Sequence, residues 1–148
     1  IKGDNVFIGY YKNPTASRDC MHNDYFLTGD LGYKDKEGVF FFSDRKKDLI
    51  IKGGVNILPG EVEEVLYQNP SVKSAAVLGV QHDYYGEELI AFITTEDTNL
   101  AIDVLLKHCR KYLQPIKVPS QIHIIDEMPV GPSGKILKRQ LLKNSTTE

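Results

Sequence analysis

Apolar residues in this chain come in short runs punctuated by Gly, Pro, Asn and Asp, and the runs are most regular after residue 47. Val72 to Val80 (VKSAAVLGV) and Glu88 to Thr95 (ELIAFITT) have the length and composition of two buried strands. His82 to Glu87 (HDYYGE), between them, reads as a polar loop containing Gly86. Upstream, Leu49-Ile50-Ile51 and Val55-Asn56-Ile57-Leu58 are strand-like pieces on either side of Gly53-Gly54, where the backbone turns tightly or clears a passage for a ligand. Pro59 suits the first position of a helix, and Glu61, Glu63 and Glu64 favour its positive end. Val62, Val65 and Leu66 form its apolar stripe, and Asn69-Pro70 ends it. A second helix is predicted from Leu100 to Leu113, with Ile102, Leu105, Leu106, Cys109 and Leu113 on the helical period, stopped by Gln114-Pro115. Pro119 opens a last strand at Ile122 to Ile125, and Ile136, Leu137, Leu141 and Leu142 predict a short amphipathic closing helix. The order β-β-α-β-β-α-β-α implies an α+β domain of about 100 residues, with a short, mostly antiparallel sheet flanked by helices.

The first third is less regular. Val6 to Ile8 is a possible short strand, Gly9 to Pro14 (GYYKNP) a turn-forming connector, and Thr15 to Met21 a brief helical turn. Tyr25 to Ser43 reads as a β-hairpin turning at Asp35-Lys36-Glu37-Gly38. Asp30 follows a glycine at a strand margin, as an ordinary turn aspartate does, yet a carboxylate there can also face a ligand. Ser43 to Asp48 (SDRKKD) breaks the apolar pattern with five charges in six residues and is the best candidate linker.

Composition adds boundaries. The chain has 148 residues, 41% hydrophobic and 26% charged, with a formal net charge of −2, so nothing draws it generally to nucleic acid or an anionic membrane. Cys20 and Cys109 lie far apart without a CxxC pattern and read as reduced thiols in a cytoplasmic setting, Cys109 as a small core residue. His22, His82, His108 and His123 lack metal-ligand spacing. No apolar run approaches a transmembrane span and no signal peptide is visible. The chain opens without an initiating methionine, which raises the expectation of a part of a longer protein.

The chemistry-bearing stretch is Met128 to Leu142, MPVGPSGKILKRQLL. Gly131, Pro132, Ser133 and Gly134 present Lys135 from a loop, with glycines permitting close backbone approach and proline limiting the loop's freedom. A lysine so placed is a positive charge held for an anion. A nucleotide-triphosphatase P-loop would need Gly five residues before Gly134 and Ser or Thr after Lys135, but those places hold Pro129 and Ile136. A basic nucleic-acid patch of Lys135, Lys138, Arg139 and Lys143 lacks interleaved aromatics and sits in an acidic chain.

Four stretches, Tyr25 to Leu31 (YFLTGDL), Asp44 to Asp48 (DRKKD), Lys52 to Glu63 (KGGVNILPGEVE) and Pro129 to Arg139 (PVGPSGKILKR), resemble in order and spacing motifs of the acyl-adenylate-forming enzymes. That superfamily holds acyl-CoA synthetases, adenylation domains of nonribosomal peptide synthetases and firefly luciferase, and DRKKD and GYYKNP look most like fatty acyl-CoA synthetases. The resemblance implies that residues 1–46 are the terminal β segment of a large N-terminal AMP-binding domain and 47–148 the mobile C-terminal domain. The family's TSGTTGxPK-type phosphate loop occurs nowhere in the chain, so that N-terminal domain is an expected partner and the chain alone an expected inactive fragment, holding no cofactor tightly.

By the same resemblance Lys135 is the catalytic lysine of adenylation, Asp30 and Arg45 contact the nucleotide ribose, and Lys47 is the hinge. Gly53, Gly54 and Asn56 face coenzyme A, with Lys52 near its nucleotide. The implied substrates are a carboxylic acid, ATP with Mg2+ and CoA, with no nucleic-acid partner. Two alternatives stay open: a ligase that passes its acyl group to a carrier-protein thiol, and a stand-alone non-catalytic interaction domain.

Overall fold

The computed structural model describes residues 1–144, and the chain divides into two units, Ile1–Lys47 and a second that begins at Asp48. In the first unit, helix α1 (Pro14–Asp19) starts where Asn13 caps it, its side-chain oxygen accepting the Ala16 N–H at 3.0 Å, with Pro14 at the first helical position. Strands β1 (Met21–His22) and β2 (Tyr25–Phe26) pair antiparallel around Asn23-Asp24, whose φ values of 46° and 63° make the tight hairpin turn favoured by Asn and Asp. Strands β3 (Asp30–Lys34) and β4 (Phe40–Arg45) form the longer hairpin. Asp35 Oδ1 shapes its turn by accepting the N–H groups of Glu37 and Val39 at 2.9 and 2.8 Å. The register slips between Leu31 and Gly32, and a Cβ on Gly32 would stand 2.4 Å from the Phe41 carbonyl oxygen, so the bulge requires glycine.

Two expectations change here. Val6 to Ile8 is not a strand: Val6 N–H closes a turn on the Gly3 carbonyl at 3.0 Å, and Phe7 packs edge-on against the rings of Tyr10 and Phe26. An apolar trio without a partner strand has no ladder to join. Phe26 belongs to the small β1–β2 hairpin rather than leading into the longer one. Among the first 47 residues only Asp44 is buried, and Tyr33, Phe40 and Phe42 are exposed.

The second unit runs β5 (Ile50–Lys52), β6 (Val55–Ile57), α2 (Pro59–Tyr67), β7 (Ser74–His82), β8 (Gly86–Thr94), α3 (Ile102–Tyr112), β9 (Gln121–Ile124) and α4 (Lys138–Asn144). This is an α+β unit whose sheet is antiparallel except for one pair. The strands lie in the order β6-β5-β8-β7, and β9 joins β8 in parallel. Strand β7 covers one edge of β8 throughout, from Ser74↔Thr94 to His82↔Gly86. On the other edge β8 changes partner, meeting β5 at Gly86 and β9 from Ile90 to Ile93. The parallel β8–β9 pair needs a crossover, and α3 supplies it.

Side-chain alternation gives this sheet two apolar faces. Val77, Leu89, Ala91 and Ile93 pack with Val62, Val65 and Leu66 of α2 and Leu105 and Cys109 of α3. Ala76, Leu78, Ile90 and Phe92 pack under Met128 and Leu141, with Ile136 alongside. Burial pushes the Cys109 thiol up, so it stays protonated as a core residue, and both cysteines are free.

The polar loop expected from His82 to Glu87 shrinks to Asp83-Tyr84-Tyr85, because His82, Gly86 and Glu87 are paired ladder positions. Strand pairing needs backbone groups, not apolar side chains. The closing helix begins at Lys138, later than its apolar period implies, since Ile136 bridges back to Val130. Leu66 is fully buried between α2 and the sheet. Leu66→Ala is expected to cost about 2–5 kcal/mol of stability, read as a lowered denaturant midpoint with unchanged slope.

Candidate functional site

Asp30 opens β3 and Arg45 closes β4, and the register sets them opposite each other. Arg45 Nε donates to Asp30 Oδ1 at 2.8 Å, with the two side chains 44% and 35% exposed. The ion pair fixes the carboxylate's orientation while leaving acceptor sites within reach of a ligand. Asp30 N–H donates to Thr28 Oγ1 at 3.1 Å, and Lys46 N–H donates to the Gly29 carbonyl at 2.8 Å, tying the ends of the hairpin together. A carboxylate with free lone pairs beside an aligned guanidinium suits a vicinal diol, whose two hydroxyls both donate. Lys47 lies exposed in the short 3-10 turn Lys46–Asp48, where the two units meet in sequence.

Gly53 and Gly54 form the two-residue turn of the β5–β6 hairpin with φ of 55° and 80°, the left-handed pair that a tight hairpin needs. Gly53 N–H donates to the Tyr85 carbonyl at 2.9 Å, which fastens this turn to the β7–β8 loop. A Cβ on Gly54 would meet nothing within 4 Å, so its surface is open. Asn56, paired with Ile51, is exposed on β6.

Lys52 behaves otherwise. Its Nζ bonds Glu88 Oε1 at 2.5 Å, the two side chains are only 10% and 13% exposed, and the ammonium lies 5.5 Å from the Tyr85 ring centroid. That charge is engaged inside the fold and is not offered to an incoming phosphate.

Lys135 sits at the end of a small closed loop. Gly131 N–H donates to the Lys135 carbonyl at 2.8 Å, Gly134 N–H to the Gly131 carbonyl at 2.9 Å, and Leu137 N–H to the Pro129 carbonyl at 2.7 Å. Gly134 takes φ of 76°, and no atom stands within 4 Å of where its Cβ would be. The Lys135 side chain is exposed, and none of the hydrogen bonds or ion pairs found among the described residues holds its ammonium.

The structure therefore joins Asp30 to Arg45 in one ion pair and Gly53, Gly54 and Asn56 in one hairpin, and it presents Lys135 from a separate loop. Sequence reading missed the Lys52–Glu88 pair and a contact between Lys138 and Glu63, whose partners lie 36 and 75 residues apart. The opposite charges at the start of ELIAFITT and beside Gly53 were the available signal for the first. A groove of about 430 Å³ on the second sheet face, lined by His82, Glu88, Ile90, Gln121 and His123 among others, contains none of the predicted site residues. Among the described residues no three His, Cys, Asp or Glu side chains gather as a metal site. None of the helices among them is long and apolar enough to cross a membrane.

A two-faced α+β unit that presents a glycine-closed lysine loop and a diglycine hairpin defines the class to which comparison leads. Residues 61–135 match the family model for the AMP-binding enzyme C-terminal domain, about half of the chain and ending on Lys135. The chain belongs to that family. It is 41% identical over 147 residues to a sulfoacetate–CoA ligase of Cupriavidus necator, covering 98% of this chain and 29% of the relative. It is 38% identical to a long-chain-fatty-acid–CoA ligase of Yersinia pestis, over 95% of this chain and 25% of that protein. Among solved structures, ATP-bound MatB from Rhodopseudomonas palustris superposes with a TM-score of 0.92 at 32% identity, over 99% of this chain and 29% of that one. O-succinylbenzoate CoA synthetase of Bacillus subtilis, in complex with its acyl-adenylate intermediate, gives a TM-score of 0.87 at 36% identity, over 95% and 29%. This chain thus spans about a quarter to three tenths of the length of the proteins it matches.

The two lysine–glutamate pairs at the extremes of exposure make a direct test of burial. Lys52→Met strands Glu88 in the interior and is expected to lower stability by about 3 kcal/mol or more. Lys73→Met, which breaks a pair with side chains 67% and 82% exposed, is expected to change the denaturation midpoint very little.

Proposed function

We propose that this chain is the C-terminal part of an ATP-dependent acyl-CoA synthetase, joined in function to a large N-terminal AMP-binding domain. The observation that carries the reading is Lys135: an exposed ammonium without an ion-pair partner among the described residues, held on a loop closed by three hydrogen bonds. The family match and the CoA-ligase names of the relatives support it. In the proposed first step a carboxylate oxygen attacks the α-phosphorus of MgATP, forming acyl-AMP and releasing pyrophosphate. In the second, the thiol of CoA loses its proton and attacks the acyl carbonyl carbon, releasing AMP. The first step brings two anions together, and Lys135 cancels their repulsion where charge builds up. Asp30, oriented by Arg45, accepts from the ribose hydroxyls. The open surface at Gly54, continuous with Gly53 and Asn56, receives the CoA arm.

Lys47 is assigned as the pivot between residues 1–46, which complete the N-terminal domain, and 47–148, the mobile C-terminal domain. A single 3-10 turn between two compact units is a connection whose φ/ψ can change without disturbing a core. Exposed Tyr33, Phe40 and Phe42 support a larger domain that covers the first unit. Mg2+ enters with ATP, and the reaction is assigned to the cytoplasm, a reducing setting that suits the free Cys20 and Cys109. Relatives named for sulfoacetate, long-chain fatty acids and 2-succinylbenzoate are 41%, 38% and 39% identical to this chain, so similarity over it favours none of these acids.

The half-reactions separate the two faces. In the full-length ligase Lys135→Ala is expected to slow adenylation at least ~100-fold and to spare thioester formation from supplied acyl-AMP. Gly54→Leu is expected to do the reverse, with Gly54→Ala as a control that carries the same positive-φ cost with little bulk. Equal loss of both half-reactions in Lys135→Ala would sink the assignment.

A further inference from the structure

Among the described residues strand β7 is an edge strand, paired only on its β8 side. Its outward backbone groups are open to pairing by other chains, and side chains cover those of Ala75 and Val77. Tyr67 Oη takes the Ala75 N–H at 3.0 Å, and Glu63 Oε1 accepts the Val77 N–H at 2.8 Å. The carbonyl of Val77 accepts from Lys138 Nζ at 3.1 Å, and the same ammonium bonds Glu63 Oε1 at 2.8 Å. One residue of β7 thus has both outward groups used by an ion pair that is 26% and 20% exposed.

This pair joins parts that otherwise lie on opposite sides of the sheet. Glu63 is on α2, which packs with the first apolar face, whereas Ile136, Leu141 and Leu142 around Lys138 pack on the second. Lys138 reaches round the free edge of β7 to connect them. It is also the residue at which the Lys135 loop becomes helix: Leu137 N–H closes that loop, and α4 starts one residue later. The loop's own three hydrogen bonds set its internal shape but do not fix it against the sheet. Apolar packing by Ile136 and Leu141 resists separation of the layers, yet it is non-directional and tolerates rotation. A charge-assisted bond with two acceptors at fixed positions, one of them a strand carbonyl, supplies direction.

We propose that Lys138 is a positioning residue for Lys135, held by Glu63 and the Val77 carbonyl, and that this clasp sets where the lysine loop stands for adenylation. The inference rests on the acyl-CoA synthetase reading. The clasp lies three residues from Lys135 and has no bond to the Gly53-Gly54 hairpin, so its effect falls on the first half-reaction. A displacement of about 1 Å at a reacting group can cost on the order of 100-fold in rate.

The test uses the full-length ligase with Lys138→Met, Lys138→Arg and Glu63→Gln. Glu63→Gln keeps an oxygen for the Val77 N–H, so the strand edge stays covered while Lys138 loses its anion. Lys138→Met is expected to lower the kcat of adenylation at least ~10-fold with thioester formation from supplied acyl-AMP within about 2-fold, and Lys138→Arg to recover most of the loss. Hydrogen exchange read beside the rates should be faster at the Gly131 and Leu137 amides in Lys138→Met and Glu63→Gln, and unchanged at Ala91 and Ile93. Unchanged loop exchange overturns the clasp. Faster loop exchange with adenylation intact, or with both half-reactions lowered equally, overturns positioning. A wild-type protein with neither half-reaction overturns the synthetase reading instead, and loop exchange then judges the clasp by itself.

Discussion

Everything in the second unit answers to β8. Leu89 to Thr94 are all buried, so this strand must have both edges paired and both faces covered. A single long partner, β7, satisfies one edge. The other edge is longer than β5 can serve, and β9 takes over from Ile90 onward, running parallel because α3 carries the chain back across the first face. The second face would be exposed if the chain stopped at β9. Met128, Ile136 and Leu141 cover it, and the loop bearing Lys135 lies between the first two of these residues. The lysine loop is consequently part of the chain segment that covers the second face of β8, flanked by residues packed on it. A side chain carried on such a support is better placed than one on a free loop.

Electrostatics divides the charged residues by burial more than by charge. Lys52 and Glu88 are nearly enclosed and compensate one another, so their worth lies in what removal of either would cost. Arg45 and Asp30 are half open, which weakens the pair thermodynamically and leaves the carboxylate usable by a ligand. Lys135 has no ion-pair partner among the described residues, and its charge is fully available. The gradient from engaged to available charge follows the exposure of each residue, without any appeal to what the protein acts on.

Much of the second unit was legible because its signals are local. VKSAAVLGV and ELIAFITT are apolar enough to mark the two long strands of the sheet, and Pro59 with the Val62, Val65, Leu66 stripe marks α2 and its first residue. What failed was non-local or very short. Strands β1 and β2 have two residues each and polar neighbours, and their only cue was Asn23-Asp24, a pair suited to positive φ. Ile136 has the right period for a helix but is claimed by its bridge to Val130, a tertiary choice that overrides periodicity. No local pattern tells that β8 changes partners halfway, because both partner strands read equally apolar. Among candidate site residues, Lys135 and the diglycine were legible from spacing and backbone chemistry, whereas the Asp30–Arg45 contact depends on a hairpin register shifted by the bulge at Gly32.

That bulge shows how a backbone detail sets chemistry in this chain. From Lys34↔Phe40 to Gly32↔Phe42 the partners' numbers sum to a constant, and continuing that register would oppose Asp30 to Asp44. Like charges directly opposite each other on a strand pair repel. The one-residue slip between Leu31 and Gly32 instead sets Leu31 against Asp44 and Asp30 against Arg45, turning a repulsive pairing into an ion pair. The slip is possible because residue 32 has no Cβ to strike the Phe41 carbonyl oxygen. Gly32 touches no candidate ligand position, yet the orientation of the Asp30 carboxylate depends on it.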